Sequence, residues 1–380
     1  MSFASAIIAR RVAIYPKQMN YRIEGQLDIH LVEEAWNYLF KRHEILRTLF
    51  VYQNIERPLQ IVLKERRIDF KYIRQLDKGT DPFLANLMEA DRNRPFNLSK
   101  DVLMRIALIQ SGDSEYHLLW TFHHILLDGW CLGILYSEFL EVYQALKTGK
   151  LPQLPLTKPY SDYLKWLALQ DRENSGKYWR DYLSSYQKMA KIPAYLPAHQ
   201  KEGLAKVNSY LFELPEDITA ALQKKASKHN VTLNTVLQSL WAILLSLYND
   251  TDDVVFGVAV AGRPEEIEGI EQMVGLFMNT IPVRINAKGE LTFSQLLQAV
   301  QKNAISSKEH AYYPLSEIQA KSPLKQGLFD HILVYENYPI DNVLKASEKC
   351  PEFKVSAPDL YREINYDLGI LINPSKKVDF

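Results

Sequence analysis

Across 380 residues there are two cysteines, Cys131 and Cys350, and they stand too far apart to suggest a disulfide framework or a thiolate zinc site. That scarcity fits a reducing compartment. Net charge is absent as well, because 45 Lys+Arg balance 45 Asp+Glu. Nothing in that balance argues for a nucleic-acid groove or for an anionic membrane surface. Long hydrophobic runs are also missing. The most apolar helix-like stretch, Thr235 to Tyr248, includes Gln238 and two serines, and it is too short and too polar to span a bilayer. The apolar patch of MSFASAIIARR is followed, not preceded, by its charges, unlike a signal peptide. There is no low-complexity tract and no short-period repeat. The segment GVAVAGRP has two glycines but no Lys-Ser/Thr, so it is not a phosphate loop. His310 and His331 fit no metal spacing, and no metal site is expected. These absences lead to the expectation of a soluble, cytoplasmic protein.

What remains is ordinary globular material, 47% apolar and 24% charged. The length is large for one core and suggests two lobes. Apolar residues at Val32, Ala35, Trp36, Leu39 and Phe40 predict a helix over 30–43. The segments 103–110 and 115–123 read as strands joined by SGDS, and the pattern beyond Gly129 turns helical. Strands are also expected at 21–27, 207–214, 254–260, 277–285, 329–335 and 364–372, and helices at 160–169, 176–186, 217–228, 232–248 and 293–306. KIPAYLPAHQKEG is the best linker in the chain. The expected organisation is an N-terminal lobe over 1–187, a linker over 188–203 and a C-terminal lobe over 204–380. Each lobe mixes strands and helices, an α/β class with α+β two-layer lobes.

The chemistry concentrates in HHILLDGW, residues 123–130. Strand alternation sends His123 and His124 to opposite faces, but does not say which one meets a cavity. Asp128 stands where a carboxylate can cap a helix or hold an arginine. Gly129 permits close approach or an unusual dihedral. The competing reading is a core histidine pair beside an ordinary helix cap.

His123, His124, Asp128 and Gly129 match HHxxxDG, the signature of condensation domains of nonribosomal peptide synthetases, and the chain resembles that family in further segments. RHEILRTLF (42–50) is similar to the second condensation motif, YSDYLKW (160–166) to the fourth and VGLFMNTIPVR (274–284) to the fifth. YYPLSEI (312–318) resembles the sixth, and LFDHILVYENYP (328–339) the strand of the seventh. The family's first motif is not recognisable in residues 1–20. The chain stops where members usually continue with a strand and a helix, as a trimmed C-terminal lobe would.

The resemblance implies a V-shaped pseudo-dimer of two chloramphenicol-acetyltransferase-like lobes with a tunnel between them. It implies partners: donor and acceptor peptidyl carrier proteins and an adjacent adenylation domain, with the domain itself a monomeric module. Substrates would arrive as thioesters on the carriers' 4'-phosphopantetheine arms, and no cofactor would be bound by the domain. His124 would serve the attacking amine as base or as positioning group. His123 would be structural. Asp128 would pair with Arg47, or with Arg42, to shape the loop. Asn279 and Thr280 would line the tunnel or satisfy strand-end groups. An epimerisation domain and a non-catalytic docking fragment are the alternatives.

Overall fold

The computed structural model describes residues 16–76, 80–192, 209–287, 289–336, 350–356, 358–361, 366–374 and 378–380. In chain order the elements begin with β1 (Lys17–Gly25), α1 (Ile29–Arg42), β2 (Thr48–Val51), β3 (Leu59–Val62), β4 (Asp69–Arg74) and α2 (Thr80–Arg92). There follow β5 (Met104–Gly112), β6 (Glu115–Phe122), α3 (Gly129–Lys147), α4 (Tyr160–Ala168), α5 (Arg172–Leu183), α6 (Glu216–Lys228) and α7 (Leu233–Asn249). The rest are β7 (Asp253–Val260), β8 (Asn279–Asn286), α8 (Phe293–Lys308), α9 (Leu315–Lys321), β9 (His331–Tyr335), β10 (Phe353–Val355), β11 (Asp359–Tyr361), β12 (Leu368–Pro374) and β13 (Val378–Asp379).

The chain divides into two compact units, and neither is continuous in sequence. The first takes 1–168, 263–277 and 338–363; the second takes 169–262, 278–337 and 364–380. This differs from lobes divided near residue 188, and packing gives the reason. Trp179, Leu183 and Tyr186, around the end of α5, are buried with Ile281, Leu328 and Ile332 of the second unit. Conversely, Met273 and Phe277 are buried with Tyr163 of α4, and Val274 joins the first unit's core. Most of the expected linker falls outside the described residues.

The first unit is built on a sheet of order β10-β1-β6-β5-β4, with β11 also pairing β1. β6 lies antiparallel between β1 and β5, a central place that suits its run of buried apolar residues. One face is covered by α1 and α3. The stripe Val32, Ala35, Trp36, Leu39 and Phe40 of α1 is wholly buried, each large side chain contributing about 1.5–3 kcal/mol. Trp36 packs on Trp120 of β6 and on Phe139 of α3, both at 5.0 Å between ring centroids. The opposite face carries a satisfied ionic network around Asp91. Its carboxylate accepts from Arg105 (2.6 Å), Gln18 (2.9 Å) and Thr121 (2.5 Å). The helices and the central hairpin therefore fix where β6 ends, and the HHILLDGW turn begins there.

The second unit holds the sheet β13-β12-β9-β7-β8, in which β9 runs parallel to both neighbours. Arg284 of β8 grips Asp253 of β7 in a fork, at 2.8 and 2.6 Å. The strand expected over 207–214 is reduced, within the described residues, to one bridge between Glu213 and Asp379. Its partner there, β13, is two residues long, so the ladder cannot extend. No single described helix is long and apolar enough to cross a membrane; the bent pair α6 and α7 passes by length and composition alone.

Candidate active site

β6 stops at Phe122, one residue short of the expected strand end. The His123 N–H still donates to Leu103 O at 2.9 Å, the last tie to the sheet. From His124 the backbone turns, so the turn, not strand alternation, decides which ring faces inward. His123 is the buried one. Its Nδ1 accepts from the Ile125 N–H at 3.1 Å, and the Phe96 ring meets it edge-on at 6.3 Å. Burial, with His124 adding to it, pushes its pKa down to about 4. His123 is thus a neutral internal brace of the turn.

His124 is half-buried. Its pKa is lowered, chiefly by desolvation and next by the Lys17 ammonium. Hydrogen bonding to the backbone of His124 and Leu127 and the charge of Asp128 oppose this without reversing it. The imidazole is therefore uncharged at neutral pH. A ring N–H committed to backbone leaves the other nitrogen as an acceptor.

Asp128 closes the turn and caps α3. Oδ1 accepts from the Cys131 N–H at 3.4 Å and lies 3.4 Å from Nη2 of Arg263, while Oδ2 accepts from the Phe277 N–H at 3.2 Å. The Cys131 thiol, 3.3 Å from Oδ1, has its pKa pushed up to about 12 by burial and by the Asp128 charge, so it stays protonated. Arg263 also donates to Ile270 O and Met273 O, at 2.5 and 3.0 Å, and lies over the Phe277 ring at 4.0 Å. Gly275 passes so close to Tyr160 that a Cβ on it would stand 2.0 Å from the ring. Its carbonyl accepts the Asp128 N–H at 3.3 Å. A segment about 140 residues downstream, 263–277, thus clamps the turn from the other side.

This corrects the expected partner of Asp128. Arg47 does not reach it: Arg47 donates to the carbonyls of Phe40 (2.8 Å), Leu63 and Lys64 (2.9 Å), tying the C-terminal end of α1 to the segment just past β3. Arg42 meets Glu138 of α3 at 3.1 Å, and His43 meets the same carboxylate at 2.6 Å. Arg42 supports the helix that follows the turn, some ten residues beyond it. Gly129 has an ordinary helical conformation, since positive φ among the described glycines occurs only at 25, 149, 262 and 269. Arg263 and Cys131 were the residues that sequence reasoning missed. The only signal for Arg263 was an arginine three residues past the end of a buried strand, in GRP.

The family model described as Condensation domain matches residues 6–379, nearly the whole chain. The chain belongs to the condensation domain family. It is 43% identical over 346 residues to bacitracin synthase 3 of Bacillus licheniformis, covering 90% of this chain and 5% of that protein. It is 39% identical over 368 residues to tyrocidine synthase 2 of Brevibacillus parabrevis, covering 96% of this chain and 10% of that protein. The chain therefore spans a small fraction of the length of these relatives. Among solved structures, the X-domain from teicoplanin biosynthesis matches with TM-score 0.82 at 21% identity, over 99% of this chain and 86% of that one. The first condensation domain of the CDA synthetase matches with TM-score 0.76 at 17% identity, over 100% and 90%. These likenesses confirm the mixed α/β fold.

Two expected site residues of this condensation domain lie in the second unit. Asn279 is buried, and its Nδ2 donates to Ala311 O and Tyr313 O, both at 2.8 Å. It ties the start of β8 to the loop before α9. Thr280 pairs with Ala259 across β7 and β8 and is half-buried. Among the described residues no group of three or more His, Cys, Asp or Glu is placed to hold a metal ion.

Proposed function

We propose that the chain forms a peptide bond between a carrier-bound acyl or peptidyl thioester and the amine of a carrier-bound aminoacyl thioester. The observation that carries this reading is His124, a neutral, half-buried imidazole on a turn clamped at both ends. The amine nitrogen attacks the thioester carbon, a C–N bond forms and the C–S bond breaks. A free α-amino group titrates near ~8, so the nitrogen must shed a proton on attack. His124 accepts that proton, or holds the amine by a hydrogen bond, and the leaving thiolate is protonated in turn. Either role is worth up to ~10²- to 10⁴-fold in rate. The thioester is already activated, so no serine or cysteine nucleophile is required.

His123, Asp128 and Arg263 act by holding the turn, and Gly129 by letting α3 start against it. The partners are the donor and acceptor carrier proteins and a neighbouring adenylation domain, as suits a chain related to long synthetases. Substrates travel on 4'-phosphopantetheine of the carriers, in the cytoplasm. A docking module is the second reading, because an X-domain of the same fold, at TM-score 0.80 and 21% identity, is found in complex with OxyB.

The test uses two loaded carrier proteins and follows product mass and chirality. Amide product lost on His124→Ala, with circular dichroism unchanged, supports condensation. Inversion of the loaded residue without chain extension identifies epimerisation. Neither product from a folded chain that still binds its carriers identifies docking.

A further inference from the structure

Gly275 lies in the segment that clamps the histidine turn, and Cys131 holds it by both its N–H and its C=O. The Gly275 N–H donates to Sγ at 3.3 Å, and the same sulfur stands 3.1 Å from Gly275 O. Arg263 Nη2 donates to it as well, at 3.2 Å. The thiol is wholly buried and protonated, so it has a proton to donate. Of its two near acceptors, Asp128 Oδ1 at 3.3 Å already has Arg263 and the Cys131 N–H, and Gly275 O is the closer. Gly275 cannot retreat, because the Tyr160 ring blocks its other side and the Tyr160 hydroxyl donates to Leu276 O at 2.6 Å. The carbonyl that Cys131 holds also leads to the histidine. Gly275 O accepts the Asp128 N–H at 3.3 Å. That N–H belongs to the peptide unit whose carbonyl is Leu127 O, and the His124 ring is hydrogen-bonded to Leu127 O. A planar peptide bonded at both its N–H and its C=O cannot rotate without breaking one of the two.

We propose that Cys131 is a positioning residue for His124: by fixing Gly275 it fixes the Leu127–Asp128 peptide, and through Leu127 O the orientation of the imidazole. This rests on the reading of His124 given above. The ring also bonds to the backbone of its own residue, which moves with it. Leu127 O is the acceptor anchored from outside, and Cys131 is the far end of that anchor. A ring N–H held there leaves the opposite nitrogen bare, and that nitrogen serves the amine. Hydrogen bonding at the Asp128 N–H also makes Leu127 O the stronger acceptor, since bonds in a chain polarise one another. Cys131 thus touches neither substrate nor the reacting atoms, and acts through one glycine and one peptide unit.

The experiment compares the whole chain as wild type, Cys131→Ala and Cys131→Ser, with loaded carriers as substrates. Serine keeps a donor and an acceptor at the position, and alanine keeps neither. Cys131→Ala is expected to lower kcat by roughly 10- to 10²-fold with KM unchanged, and Cys131→Ser to regain most of that loss. Nitrogen NMR of the imidazoles, with His124→Asn to assign the signal, reads the ring directly. One neutral tautomer is expected in the wild type and in the serine variant, and a mixture in the alanine variant. A mixture in the wild type overturns the proposal, whether or not a variant folds. So does an alanine variant that loses stability yet keeps one tautomer and the wild-type kcat, the pattern of a packing role alone. Equal losses in the alanine and serine variants overturn it as well, since volume and not hydrogen bonding would then be the cause. A mixture in the alanine variant with kcat unchanged upholds the link from Cys131 to the ring, and instead overturns His124 as the group that serves the amine.

Discussion

In the second unit His331 begins β9 with its Nδ1 2.7 Å from Asp330 Oδ1, whereas in the first unit His124 follows the end of β6 with no carboxylate in hydrogen-bond contact among the described residues. By distance alone His331 has the better geometry for an acid–base pair. It is nevertheless 0% exposed, with Trp241 and Phe256 at 5.5 and 6.2 Å. His124 has the weaker partners and the open side. A proton acceptor must be reached by the group it serves, so exposure outranks polarisation here. The ion pairs repeat the contrast. Asp253–Arg284 has the shorter contact, 2.6 Å, yet stands 18–27% exposed, while Asp128–Arg263 at 3.4 Å is at most 7% exposed. The longer pair is the more consequential because solvent cannot replace either partner.

Paired substitution of the histidines puts the contrast under the greatest strain. His124→Ala is expected to lower turnover by ~10²- to 10⁴-fold with unfolding unchanged. His331→Ala is expected to cost ~3 kcal/mol of stability, while the folded fraction keeps its turnover. Turnover from loaded carriers and urea unfolding of both proteins decide it, and the reverse pattern makes His331 the functional residue.

Next is the carboxylate pair. Asp128→Asn is expected to destabilise by ~3–5 kcal/mol, since it strips Arg263 of its buried partner. Asp253→Asn is expected to cost ~1 kcal/mol, because water screens that pair. Similar losses in urea unfolding would show that contact distance, not burial, sets the difference.

Acid provides a third test. His123 has its folded pKa depressed to about 4, against about 6.5 when unfolded. Between those values the unfolded chain binds the additional proton. Stability is therefore fully present above pH ~6.5 and falls as pH drops towards ~4, by up to ~3 kcal/mol. His331, also depressed by burial, adds to the loss in the same direction. Urea unfolding at pH 7.5 and pH 4.5 measures it. His123→Gln, whose amide oxygen can accept the Ile125 N–H, should flatten the dependence; an equally steep profile in that variant removes His123 as the cause.

The smallest effect is expected at Arg47. It touches carbonyls at the end of α1 and just past β3, and not Asp128. Arg47→Lys should cost ~1 kcal/mol or less and leave turnover alone. A turnover loss as large as that of Arg263→Lys would restore Arg47 to the site.

The local elements and the chemistry of the turn were legible in the order of the residues. The apolar stripe of α1, the hairpin of β5 and β6, the cap at Asp128 and the pair of histidines all follow from neighbours a few residues apart, where 2.0- and 3.6-residue periods and side-chain caps operate. HHxxxDG and its companion motifs pointed to the family before any contact was visible. Which residues meet was settled by long-range packing. Asp128 and Arg263 are 135 residues apart, and no local period links them. Packing also sends α5 to the second unit and returns 263–277 to the first, because each carries an apolar face whose complement lies elsewhere in the chain. It chose between the two histidines as well: β6 ends at Phe122, and the turn beyond it buries the first ring and leaves the second within reach of solvent.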